Sequence, residues 1–395
     1  MMTHIAQRSH DDVPQGPKIS TTRADPQAST IEETQPVVDR GDLVGQRTIP
    51  RRTVGVVGDT AGDERDVVVL RDQSLLGAVP HDILVEATGQ PEAGARMALE
   101  AIRRGAHVAM VSKEVDSVVG PHLNQLAVER GLVYTTADGD QPSNLIGLVT
   151  WARLLGFEVV AAGKSSEYDF VIDAATGSLS SESRTVSAPG FVDAMALGTG
   201  PAAELVSQRA ALAHALPQLA VPDLCELAVV ANATGLTPDR PAFHAPIARI
   251  AEVPSLFDTT AMGGLLSGER RIDVFNCLRT PQDISFAGGV FVVVRCEDAE
   301  TWAVLAQKGH TVSRSGEAAM LWLPRHLLGL EAPISLLDAV VNGVSVAGEP
   351  RPVVDLVGRA RRRLEAGALL EAEGHHHTID GVGPALVEAR PLAAD

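Results

Sequence analysis

From residue 54 onward, short apolar runs alternate with longer stretches in which apolar residues recur every three or four positions. The runs Val54-Gly55-Val56-Val57, Val67 to Leu70, Ile83-Leu84-Val85, His107 to Val111 and Leu132 to Thr135 read as buried strands. Between them, Pro91 to Arg104 places Ala93, Met97, Leu99 and Ile102 at helical spacing, and His122 to Arg130 gives a second helix. Ser143 to Gly156 is expected to be a helix closed by its terminal glycine, and Phe157 to Ala162 the strand after it. No period holds for long across residues 166–215, where Ser, Gly and Ala dominate. Leu224 to Ala233 then predicts a helix capped by Gly235, Val290 to Val294 a strand, and Ile334 to Val341 a helix.

Strands separated by helices predict an α/β fold with a Rossmann-like parallel sheet, whose ligand crevice lies at the carboxyl ends of its strands. Residues 1–50 carry Asp, Gln, Thr, Pro and Arg without an apolar period and are expected to be a disordered leader. The remaining divisions are a Rossmann-like domain over 51–160, an α+β substrate and dimerisation domain over 161–350, and a small β-unit over 351–395.

Charge and composition narrow the function. A net charge of −17, with no basic run longer than Arg361 to Arg363, disfavours a nucleic-acid partner. No stretch reaches the ~20 apolar residues of a membrane helix, and no apolar run near the start resembles a signal peptide. A cytoplasmic protein that handles a small molecule, working as a homo-oligomer, is the expectation. Aromatic residues make up only 3%, so the core should rest on Ala, Val and Leu. Cys225, Cys277 and Cys296 lack metal or redox spacing and are expected to be reduced core residues; no metal site is expected, the run His375 to His377 included.

Three segments follow crevice strands: Glu86-Ala87-Thr88-Gly89, Ser112-Lys113-Glu114 and Asp138-Gly139-Asp140-Gln141. Gly163-Lys164 follows a fourth strand. Ammonium groups there suit polarising a carbonyl or hydroxyl oxygen, and Asp140 suits proton transfer, helped by any like charge from Asp138 that raises its pKa. Exposed lysines paired with nearby acids, and a plain glycine turn at Gly89, are the other readings of the same residues. No G-x-G-x-x-G precedes residue 90; the nearest candidate, Gly55 to Gly62, has other spacing and places Asp59 beside any diphosphate. The first half of the nucleotide fold is therefore expected to be reduced.

Ala87-Thr88-Gly89, Gly139-Asp140-Gln141-Pro142, Gly156 to Lys164, Ala231-Asn232-Ala233-Thr234-Gly235-Leu236 and His326-Leu327-Leu328-Gly329-Leu330-Glu331, in that order, resemble the homoserine-dehydrogenase-like oxidoreductases with a C-terminal SAF domain. That family includes proteins similar to deoxyxylulose phosphate reductoisomerase. The resemblance spans roughly residues 80–370 and implies NAD or NADP as cofactor, a substrate domain with an inserted mixed sheet, and a SAF β-unit beginning near Arg359 and cut short by Asp395. It further implies Lys164, Lys113 and Asp140 as catalytic residues and Gln141, Asn232 and His326 as substrate-binding. Glu86, Ala87, Thr88, Gly89 and Ser112 would contact the cofactor. Two basic positions of the family pattern are missing, since Ser165-Ser166 follows Lys164 and Leu219 to Pro222 precedes the Asn232 helix, which argues against a phosphorylated substrate. The expected activity is oxidation, reduction or reductive isomerisation of a small hydroxylated or carbonyl metabolite. A non-redox lyase, isomerase or transferase, or a non-catalytic metabolite-binding partner, is the alternative.

Overall fold

The computed structural model describes residues 54–57, 67–70, 76, 79–295, 298–370 and 379–390. The expected leader, the turn after Val57, Cys296 and the His375 to His377 run lie outside these residues.

The first sheet is wholly parallel. Strands β1 (Val54–Val57), β2 (Val67–Leu70), β3 (Ile83–Glu86), β4 (His107–Met110) and β5 (Tyr134–Thr136) lie in the order β2-β1-β3-β4-β5. Strand order reverses between β1 and β3, so the crevice of this sheet opens beyond their carboxyl ends. Only residues 58–66 separate β1 from the parallel β2. An ordinary crossover with its helix takes at least ~10–12 residues.

Helices α1 (Pro91–Arg104) and α2 (Lys113–Val128) cover one face, burying Met97, Ala101, Ile102, Val115 and Leu123 against Leu84 and Val108. Helix α1 starts at a proline, whose missing N–H costs nothing at that position, and stops where Gly105 turns left-handed at φ 87°. Helix α2 begins nine residues earlier than the apolar pattern suggests, because Gly120-Pro121 reads as a break but sits inside the helix. Lys113 is consequently the first residue of a helix, not part of a loop.

Helix α3 (Gln141–Leu154) leads away from this sheet into β6 (Glu158–Ser165), a central strand of a second, mixed sheet. The expected boundary at residues 160 and 161 thus falls within a strand. The meander β7 (Phe170–Asp173), β8 (Ser178–Ser181) and β9 (Arg184–Ser187) and helix α4 (Ala202–Leu212) occupy the stretch where the sequence shows no period. Helix α5 (Val221–Thr234) follows, with two-residue strands β10 (Thr237–Pro238) and β11 (Ile247–Ala248), helix α6 (Val253–Leu256) and β12 (Arg271–Arg279). Then come β13 (Val290–Arg295), α7 (Ala299–Gln307) and β14 (Ala318–Leu323), giving the order β14-β13-β6-β12-β7-β8-β9. Helices α3 and α5 pack on one face through Leu145, Val149, Leu227 and Val230. The other face holds Phe257, Phe275, Phe286 and Phe291, half of the chain's eight phenylalanines, so this core is more aromatic than the composition suggests.

Helix α8 (Leu328–Leu337), prolonged by a π turn over Asp338–Asn342, returns to the first sheet. Its Leu336 and Val340 pack with Ala339 on Ile83, Val85 and Ala109, the strand residues that alternate with those facing α1 and α2. An antiparallel hairpin, β15 (Val354–Ala360) with β16 (Val382–Glu388), docks on α5 by burying Val354 and Leu386. No helix among the described residues is long and apolar enough to cross a membrane.

Candidate functional site

Because β3, β4 and β5 are parallel, Glu86, Ser112-Lys113 and Asp140-Gln141 come to one edge of the sheet. Packing of α2 against α5 brings the second sheet's strand end to the same place. On α5, Asp223 and Glu226 sit three residues apart and so share a face. The Lys164 ammonium donates to Asp223 Oδ1 at 2.7 Å and to Glu226 Oε2. Lys113 donates to the other oxygen of the same carboxylate, Glu226 Oε1, at 2.5 Å. Ser166 Oγ donates to Asp223 Oδ2 at 2.9 Å and completes the row.

Exposure separates the two lysines. Lys164 is 2% exposed and enclosed by its carboxylates, whereas the Lys113 side chain keeps 20% of its surface open. Lys113 is thus the cation a substrate can reach. Burial alone would drive its proton off, but Glu226, seconded by Asp140 and Glu114, raises its pKa above the ordinary lysine value. Lys164 is raised in the same way by Asp223 and Glu226 against its burial. Burial pushes Glu226 up, and the two ammonium groups more than reverse this, leaving it below the usual carboxylate range. All three are charged at neutral pH.

Asp140 caps α3 by accepting from Gln141 N at 2.9 Å. Burial and the neighbouring Glu226 charge raise its pKa, opposed by Lys113, the Gln141 N–H and His326. The like charge that acts on it is Glu226, while Asp138 is raised by burial with Asp338 and Glu331. Gly139 has φ 81°, and a Cβ there would lie 2.8 Å from the backbone of Leu327 and Leu328. A side chain at Gly288 would collide with the His326 ring and the Gln141 amide, so these three close one wall of the crevice. His326 is exposed.

On the other wall, Glu86 is fully buried and points inward. Its Oε1 accepts from Thr88 N at 2.9 Å and Thr88 Oγ1 at 2.6 Å, and its Oε2 is buried without a partner beside Gly94. Gly89 N donates to Ser112 Oγ at 2.8 Å. The carboxylate braces the loop, whose exposed residues are Ala87 and Gly89, and Gly89 is tied to Ser112, the residue before Lys113.

Asn232 stands elsewhere. Its Oδ1 accepts from Val353 N at 2.8 Å and Val354 N at 3.0 Å, which pins the C-terminal hairpin to α5. Trp151 is 48% exposed and ten residues along α3 from Gln141, about 15 Å at the helical rise, so it does not line the crevice. Asp223, Glu226, Ser166 and Gly288 are site residues that reading the sequence misses. The signal was two carboxylates in the first turns of an otherwise apolar helix, since acids buried beside leucine and valine need a cationic partner.

Residues 222–332, less than a third of the chain, match the family described as oxidoreductase DRL, catalytic domain. This segment holds Asp223, Glu226, Gly288 and His326. No curated protein matches the chain. Among solved structures, the chain is similar to a hyperthermophilic archaeal homoserine dehydrogenase in complex with NADPH, at 14% identity and a TM-score of 0.34, over 71% of this chain and 78% of that one. A dipicolinate-bound dihydrodipicolinate reductase from Paenisporosarcina sp. TG-14 is similar at 9% identity and a TM-score of 0.30, over 73% and 93%. Biliverdin reductase from Synechocystis sp. PCC 6803, in complex with biliverdin and NADP+, is similar at 21% identity and a TM-score of 0.22, over 31% of this chain and about half (48%) of that one.

Proposed function

We propose that this chain is an NAD(P)-dependent oxidoreductase of a small hydroxylated or carbonyl metabolite, with Lys113 as the group that binds the reacting oxygen. The observation that carries this reading is the sharing of Glu226 by Lys113 and Lys164 at the crevice of the parallel sheet. One lysine is left open to a ligand and fixed as a cation. An oxidoreductase catalytic-domain match over the segment that supplies Glu226 supports it.

The residues present suit the nicotinamide half of a dinucleotide. Ala87 and Gly89 give an exposed ledge at the strand-order reversal, braced by Glu86 and by Ser112, the residue before Lys113. A nicotinamide held there would supply or accept the hydride. Lys113 hydrogen-bonds the substrate oxygen and stabilises the negative charge that grows on it. Glu226 holds Lys113 in place and charged, and Lys164 with Asp223 fixes Glu226. Asp140, its pKa raised, gives a proton to that oxygen in reduction and takes it in oxidation.

Three carboxylates accompany two lysines, so the site selects neutral or cationic groups over phosphate. The test is a panel of hydroxylated and carbonyl metabolites with NAD(H) and NADP(H), followed by nicotinamide absorbance, with Lys113→Met as control. Turnover that vanishes in the variant supports the assignment. Turnover unaffected by the substitution contradicts it.

The shortness of residues 58–66 favours one alternative: a non-redox lyase or isomerase using the same Lys113, Glu226 and Asp140 for proton transfer. Products formed without any nicotinamide would identify it.

A further inference from the structure

The second sheet carries a pocket that the crevice chemistry leaves unused. Ser166, Tyr168, Leu219 and Asn276 line it, together with Ser181 and Glu182 from the β8–β9 hairpin. It has room for one water-sized group, and no lysine or arginine is among its lining residues.

Its buried polar atoms are left as acceptors. Asn276, 1% exposed, donates both amide hydrogens elsewhere, to Gln218 O at 3.1 Å and Ala245 O at 3.0 Å, which leaves its Oδ1 to the pocket. Ser166 Oγ gives its proton to Asp223 and keeps only lone pairs. Ser181, 4% exposed, makes no side-chain hydrogen bond among the described residues.

Charge comes from the hairpin turn. Ser181 pairs with Arg184, so Glu182 and Ser183 form a two-residue turn. Glycine is the ordinary residue where such a turn opens at positive φ, yet Glu182 stands there at φ 55° and brings a carboxylate to the pocket wall. Burial, with the charges of Glu167 and Glu182, pushes the Tyr168 phenol up to about 12. An ammonium group answers this lining, because it offers three donors, no acceptor and a positive charge.

We propose that this pocket is a second ligand site, which takes the ammonium end of a small primary amine and lays its alkyl carbons against Leu219. The amine is distinct from the substrate at Lys113. Between pocket and crevice runs the row Ser166, Asp223, Lys164 and Glu226, whose members are all more than nine-tenths buried, so the row separates the two sites while joining them by hydrogen bonds. The site stands whether or not nicotinamide chemistry occurs at the crevice.

Saturation-transfer difference nuclear magnetic resonance on the full chain with ethylammonium chloride tests it, with tetramethylammonium chloride as a cation that cannot donate. Ethylammonium is expected to bind saturably and tetramethylammonium not to bind. Ser181→Val, which removes the hydroxyl at similar size, is expected to weaken ethylammonium about tenfold, and Lys113→Met to leave its affinity unchanged. Should Ser181→Val unfold by circular dichroism, Glu182→Gln on the exposed turn decides, with an expected loss of about threefold. Equal binding of the two cations overturns the proposal, as does a pocket that holds only water and gives no saturable signal. So does ethylammonium binding that is unchanged in the folded pocket variant or lost in Lys113→Met.

Discussion

Lys113 and Lys164 share a single carboxylate: Glu226 accepts from Lys113 on Oε1 and from Lys164 on Oε2. One lysine faces the crevice and the other faces the core, so the three residues divide into a group that meets substrate and a pair that holds it there.

Substitution should separate these duties. Lys113→Met is expected to lower kcat by ~10²–10³, the loss typical of removing one donor to a developing oxyanion, with little change in melting temperature. Lys164→Met leaves Asp223 and Glu226 buried beside each other without their shared cation. It is expected to destabilise the fold by roughly 3–5 kcal/mol, as for a broken buried ion pair. Steady-state kinetics and thermal denaturation of both variants check this. A Lys164 variant as stable as wild type contradicts the division.

Asp140 predicts a pH dependence. As its pKa lies above the ordinary carboxylate value, reduction, which consumes a proton, should slow as pH rises through that raised value. In Asp140→Asn the slowing limb should disappear along with most of the rate. Survival of the limb in the variant would assign it to another group.

A separate dependence belongs to stability. Asp116 is buried between α2 and β5, with Tyr134 donating to it at 2.9 Å. Burial raises its pKa to about 7, with Tyr134 pulling down and Asp140 pushing up. Between the unfolded value, ~3.9, and about 7 the folded chain holds the extra proton, so its contribution is fully present at low pH and is lost as pH rises to about 7. Asp273, buried and likewise raised to about 7 despite three backbone N–H donors, acts with the same sign. Thermal melts of Asp116→Asn against wild type are expected to show the larger advantage of the variant above pH 7. An equal difference at every pH contradicts this origin.

Much of the fold was legible because strands buried on both sides, the parallel β3 and β4 and the antiparallel β13 alike, read as continuous apolar runs and α1 as a helical period; all four stand close to where the pattern puts them. Strand β12 was not, since Arg271-Ile272-Asp273-Val274-Phe275-Asn276 places buried polar residues at Asp273 and Asn276, both satisfied by backbone groups the sequence cannot reveal. Of the site, the strand-end residues Lys113, Asp140 and Lys164 could be found from topology. Glu226 and Asp223 could not, because they come from a helix whose docking on α2 is a tertiary fact. Asn232 resembled a ligand residue, yet both hydrogen bonds of its Oδ1 serve the hairpin.

That last assignment has its own consequence. Asn232→Ala strips the partner from two backbone N–H groups, at roughly 1–3 kcal/mol for each buried donor left unsatisfied. The variant is expected to melt lower and to be cut faster by protease near residue 353, with KM unchanged. A raised KM at unaltered stability would return Asn232 to the substrate.

The most direct measurement is a titration of the purified chain with NADH and with NADPH, read by the fluorescence of the reduced nicotinamide itself. Saturable binding of at least one, near one equivalent per chain and retained by Lys113→Met, is the predicted result. Absence of binding by both would contradict nicotinamide chemistry at this crevice.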